Sequence, residues 1–107
     1  MIFDYKQALK ASANNVELAE RLLTTFVEQI PEYQTSINAN LSQNNIENLR
    51  NLIHKLHGAV EYLGVPELKQ QLKSMNYDAD KEQQWLKEFT HLIEQLERIK
   101  QIGSYQH

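Results

Sequence analysis

The sequence contains no cysteine, which excludes thiol catalysis and cysteine-ligated zinc and leaves the redox compartment unconstrained. Two prolines and three glycines in 107 residues give little turn punctuation, and a sheet protein would need more of it, with more β-branched residues as well. A strong excess of either charge is also missing. Eleven Lys and Arg stand against fourteen Asp and Glu, a formal net charge of −3. That balance is too acidic and too dispersed for a nucleic-acid-binding surface. No apolar run approaches the roughly 18 to 20 residues that cross a bilayer, and no secretory signal pattern is present. A cytoplasmic location without direct membrane insertion is therefore expected. Neither a glycine-flanked nucleophile nor a phosphate-cradling loop appears, so serine- or aspartate-based catalysis finds little support.

What is present favours helices. The chain is 41% hydrophobic and 23% charged, ordinary for a globular protein and long enough for one core without staples. Leu, Gln, Glu, Lys and Asn abound, and apolar residues recur at helical spacing. Asp4, with Gln7 in capping-box spacing, opens a short helix over about 4–11. Asn14, with Glu17, opens a second over about 15–40, carrying Leu18, Leu22, Leu23, Phe26, Val27 and Ile30. Pro31 should kink or divide it. Further helices are expected over 45–64, closed by Gly64, over 66–76, opened by Pro66, and over 81–100, capped by Asp80. Residues 101–107 read as a frayed tail. The expected fold is all-α: a monomeric, antiparallel four-helix bundle with a short additional N-terminal helix.

The stretch NIENLRNLIHKLHGAVEYLG, residues 45–64, organises the rest. At about 100° per residue, Leu49, Leu52, Ile53, Leu56, Ala59, Val60 and Leu63 gather on one face, the expected core side. His54 falls almost opposite the middle of that stripe, with Arg50, His57, Gly58 and Glu61 at neighbouring positions. Glycine in a helix interior costs about 1 kcal/mol relative to alanine. Gly58 therefore implies that something approaches the backbone closely beside His54.

Three readings compete for this polar face. On the first, His54 and His57 are ordinary surface histidines. On the second, His54, His57 and Glu61 contact one metal ion. A single helix rarely completes a tetrahedral zinc site, however, and no second ligand set can be placed nearby, so no metal is expected. On the third, His54 is a phosphorylatable nucleophile, since imidazole has a reference pKa of about 6.5 and is competent when neutral. Arg50, Lys55 and His57 would screen phosphoryl charge, and Gly58 would admit a partner's active site. That partner must supply the metal and the acceptor. Phosphoryl transfer suits such a division, being mostly positioning and electrostatics.

The run IHKLHGA resembles the histidine phosphotransfer (HPt) motif: a histidine, two residues, a lysine, a glycine and a small residue. His54 matches the phosphoacceptor, Gly58 the glycine and Ala59 the small residue. The resemblance continues through EYLGVPELK and, less tightly, through DYKQALKASANNVELAERLL, covering about residues 4–99. It is most like the C-terminal HPt domain of BarA/GacS-type hybrid sensor kinases. It implies a four-helix bundle acting in a cytoplasmic phosphorelay, tethered to the inner membrane where a larger sensor kinase carries it. Its partners would be response-regulator receiver domains, whose aspartates exchange phosphate with His54. The domain would need no cofactor, magnesium coming from the receiver. Two positions depart from the pattern. His57 stands where most of the family has lysine, and Glu61 adds a carboxylate placed either to orient the His54 ring or to repel phosphate. The expected function is a phosphocarrier without kinase activity. The alternative is a helical interaction module whose partner binds this face without chemistry.

Overall fold

The computed structural model describes residues 2–105. They form five α-helices and no strand: α1 (Tyr5–Ala11), α2 (Val16–Ser42), α3 (Ile46–Val60), α4 (Pro66–Ser74) and α5 (Glu82–Ile102). A 3-10 turn, Ala79–Lys81, leads into α5. Helices α2 and α4 each pack against both α3 and α5, closing a four-helix ring, and α1 leans on α2. The fold is the expected helical bundle with its short extra helix. At about 1.5 Å per residue a helix the length of α2 spans about 40 Å, and the molecule measures 43 × 22 × 20 Å. Among the described residues no helix is long and apolar enough to cross a membrane.

Short polar side chains start three of the helices. Asp4 accepts from the Gln7 amide at 3.0 Å, Asn15 from Leu18 at 3.0 Å and Asn45 from Asn48 at 3.1 Å. The cap of α2 is thus Asn15, not Asn14. Asn14 instead takes a left-handed φ of 62°, and its amide donates to the Leu9 carbonyl at 2.7 Å, closing the turn after α1. Likewise Asp78, not Asp80, caps the turn into α5, accepting from the Asp80 amide at 3.0 Å. Pro31 lies inside α2 without dividing it. Its ring is exposed while Ile30 and Tyr33 beside it are buried, so core packing on the opposite face carries the helix past the missing donor.

The core comprises Phe26, Ile30 and Ile37 of α2, Leu49, Leu56 and Val60 of α3, Leu68 and Leu72 of α4, and Phe89, Leu92, Leu96 and Ile99 of α5. The buried stripe of α3 is centred on Leu49, Ile53, Leu56 and Val60, which leaves Leu52, expected in the core, half-buried at its edge. Leu18, expected on the apolar face, is 37% exposed at the start of α2.

Helix α3 stops at Val60, short of Gly64, because the backbone tightens there: the Leu63 amide donates to the Val60 carbonyl at 3.1 Å. Gly64 then takes φ +62°, and its carbonyl accepts from the Asp4 amide at 2.7 Å. A Cβ at Gly64 would meet the Asp4 carbonyl oxygen at 2.3 Å, so only glycine lets the N-terminal segment cross this turn. The C-terminal segment reaches the same place. Tyr105 is buried, its hydroxyl donates to the Leu63 carbonyl, and its ring packs on Phe3 at 5.5 Å and Tyr5 at 5.3 Å. The frayed tail expected over 101–107 is therefore corrected for 101–105. Residues 101 and 102 extend α5, Gly103 caps it at φ 73°, and Tyr105 is anchored. Residues 106 and 107 lie outside the described residues.

Candidate functional site: the cleft beside His54

Helix α3 lies between α2 and α4, buries one face, and leaves His54 and Gly58 exposed. On the α4 side it borders an open cleft of about 390 Å³. Arg50, His54 and His57 form one wall, and Lys73 of α4 with Asn76 and Tyr77 of the following loop form the other. The floor is apolar and buried: Ile53, Leu72, Met75 and Trp85. Two permanent cations, Arg50 and Lys73, and two imidazoles line this cleft and no carboxylate does, a local excess of positive charge on a chain whose formal charge is −3.

The loop wall is fixed from below. Trp85 donates its indole N–H to the Met75 carbonyl at 3.2 Å and meets the Tyr77 ring edge-on at 5.1 Å. The Tyr77 hydroxyl donates to Glu82 at 2.8 Å. That carboxylate acceptor first, and desolvation second, hold the phenol above its ordinary pKa. The Arg50 guanidinium lies 4.9 Å from the centroid of the Tyr77 ring, stacked on its face and not paired with an acid. Neither Arg50 nor Lys73 forms an ion pair among the described residues.

The other residues singled out in the sequence fall in different places. Lys55 turns toward α2, its ammonium 5.8 Å from the centroid of the Tyr33 ring, in a separate groove with Glu32, Ser36 and Leu52. It does not line the His54 cleft. His57 does, half-buried. A Cβ built on Gly58 would meet nothing within 4 Å, so no neighbour within the domain requires glycine there. Ala59 is half-buried against the core instead of standing open beside Gly58. Glu61 follows the end of α3, and its backbone carbonyl accepts from Lys69 at 3.2 Å. No hydrogen bond joins its carboxylate to His54 among the described residues, and none of their acidic and imidazole side chains gather in threes to hold a metal.

Sequence reasoning missed Lys73, Asn76 and Tyr77. The signal was the helical hairpin. Positions equally far from Leu63 on either side of the α3–α4 turn face each other, which brings the end of α4 opposite the middle of α3.

A family model of the Hpt domain matches residues 21–102. The chain belongs to the Hpt domain family. This Hpt domain is 32% identical over 108 aligned residues to the signal transduction histidine-protein kinase BarA of Shigella flexneri, and equally to BarA of Escherichia coli strain K12. Each alignment covers 94% of this chain and 11% of the kinase, so the chain spans about a tenth of the length of these curated relatives. The sensor protein GacS of Pseudomonas syringae pv. syringae is 28% identical over 69 residues, covering 64% of this chain and 8% of that protein. No solved structure matches. The likeness gives the Hpt domain a phosphorelay role, histidine phosphotransfer.

Proposed function

We propose that this Hpt domain is a phosphocarrier without kinase activity of its own, and that His54 carries the phosphoryl group. The observation behind this reading is the exposed imidazole of α3, set at a cleft lined by cationic groups and one turn from a glycine with open space above it. In the forward step the lone pair of the unprotonated ring nitrogen attacks the phosphorus of an aspartyl phosphate on a receiver domain. An N–P bond forms, the P–O bond to the aspartate breaks, and its electron pair leaves with the carboxylate. The N–H proton stays on the other ring nitrogen. A response-regulator aspartate then reverses the step. Arg50 and His57 screen the phosphoryl charge from within the cleft, Lys55 contributes from the α2 side at longer range, and Gly58 lets the receiver's active site come close. Glu61 follows the end of α3 outside the cleft lining, and no hydrogen bond ties its carboxylate to the His54 ring among the described residues. The receiver brings the magnesium ion. The relay runs in the cytoplasm, with the domain tethered to the inner membrane where a larger sensor kinase carries it.

Incubation with a phosphorylated receiver and magnesium tests this. The wild-type domain should gain acid-labile, base-stable phosphate. His54→Gln should accept none while keeping its helicity, because glutamine is polar and the site is exposed, and His57→Gln should slow transfer but leave it measurable. Robust labelling of a folded His54→Gln protein would overturn the assignment. A wild type that binds the receiver yet takes up no phosphate would favour an interaction module without chemistry.

A further inference from the structure

We infer that Lys73 of α4 is a positioning residue that holds the transferred phosphoryl group across the cleft from His54, while Arg50 closes the α3 side. The inference rests on His54 being the phosphoacceptor.

Three observations converge on Lys73. It lines the same cleft as His54 from the opposite helix. It is exposed and, among the described residues, has no carboxylate partner, so its charge is not spent within the domain. The other candidates for a permanent charge are limited: position 57 is an imidazole, and the ammonium of Lys55 lies over Tyr33 in the α2 groove. Among the described residues Arg50 is the one other permanent cation lining the cleft, and its guanidinium lies over the Tyr77 ring. A guanidinium held over an aromatic ring by cation–π attraction still has N–H groups to offer an anion. An ammonium on a flexible stem can follow a phosphoryl group as it moves between aspartate and imidazole, which a stacked guanidinium cannot do to the same extent. With Lys73 on one helix and Arg50 on the other, the phosphorylated imidazole has a cation on each side. The fixed positive charge is supplied by packing α4 on α3, not by the residue three places after the histidine.

The test uses the full chain, a receiver and magnesium, with label followed to equilibrium. Lys73→Gln should lower the fraction of label held on the domain about three- to tenfold, the scale of one charge-assisted contact at a solvent-facing site. It should also shorten the lifetime of the isolated phosphorylated domain by a similar factor. Lys73→Arg should restore both. Lys6→Gln, which removes the same charge from exposed α1, should change neither. A role confined to receiver docking would alter the forward and reverse rates together and move neither the equilibrium nor the lifetime. That outcome, or a Lys73→Gln protein matching wild type in both readouts, overturns the inference while leaving His54 in place. A wild type that takes no label overturns the phosphocarrier reading and this inference with it.

Discussion

At the scale of single residues, two glycines of the chain have opposite reasons. A side chain at Gly64 would collide with the Asp4 backbone, whereas one at Gly58 would meet nothing. Gly58→Ala should therefore stabilise the isolated domain by about 0.5–1 kcal/mol, the helix-propensity difference. On the proposed function, the same methyl sits where a receiver would approach. Transfer should fall by about tenfold or more, since displacing reacting groups by an ångström can cost about a hundredfold. Thermal unfolding and transfer rates on one preparation separate the two effects. A variant that is more stable and fully active would remove Gly58 from the docking site. The sequence made His54 and Gly58 legible because both belong to one helix, where spacing fixes direction. The placement of the lysines was not legible in the same way, because proximity in sequence is not proximity in space. Lys55 adjoins His54 in the chain and turns to Tyr33, while Lys73 on another helix reaches the cleft.

At the scale of elements, the position of His54 depends on how firmly the opposite face of α3 is held. Leu56 is fully buried there. Leu56→Ala should cost about 2 to 5 kcal/mol in urea unfolding, the usual range for a truncated core leucine. Leu52, half-buried at the edge of the stripe, should cost less on the same change. A loss below about 0.5 kcal/mol for Leu56→Ala would contradict the face assignment, given that range. Periodicity made the helices and their buried faces legible, because burial repeats with the helical turn. Ends were harder. Asn14 and Asn15 are chemically alike, and what makes the second the cap is the bond of the first back to Leu9. Pro31 read as a kink or a division inside a helix continuing to about residue 40, and a local rule could not choose between them because it cannot weigh the tertiary packing of Ile30 and Tyr33 around it.

At the scale of the whole molecule, both ends of the described chain meet at the turn that follows α3. Asp4 bonds to Gly64 and Tyr105 to Leu63, with Phe3 and Tyr5 against the Tyr105 ring. Nothing local in the last residues shows this, because one aromatic after a capping glycine has no periodicity, and its partners lie far away in the sequence. Its consequence appears at alkaline pH. Burial first, and the nearby Tyr5 second, push the Tyr105 phenol up to about 12, against about 10 for a free tyrosine. The folded state therefore prefers the protonated phenol, and between these two values the unfolded chain binds fewer protons. Stability from this group is fully present below about pH 10 and is lost as pH rises toward about 12, since the slope of stability with pH is negative wherever the unfolded state holds fewer protons. Tyr33, raised by burial and Glu32, and Tyr77, raised by its bond to Glu82, act with the same sign, so the wild-type loss is not due to Tyr105 alone. Tyr105→Phe isolates its share. At neutral pH the variant should be less stable by about 0.5–1.5 kcal/mol, the net value of one hydrogen bond. Between pH 10 and pH 11, at about the reference titration of tyrosine, its stability should fall less steeply than that of the wild type. Urea unfolding at pH 8, 10 and 11 reads both effects, and parallel losses in the two proteins would show that Tyr105 does not tie the end of the chain to the α3–α4 turn.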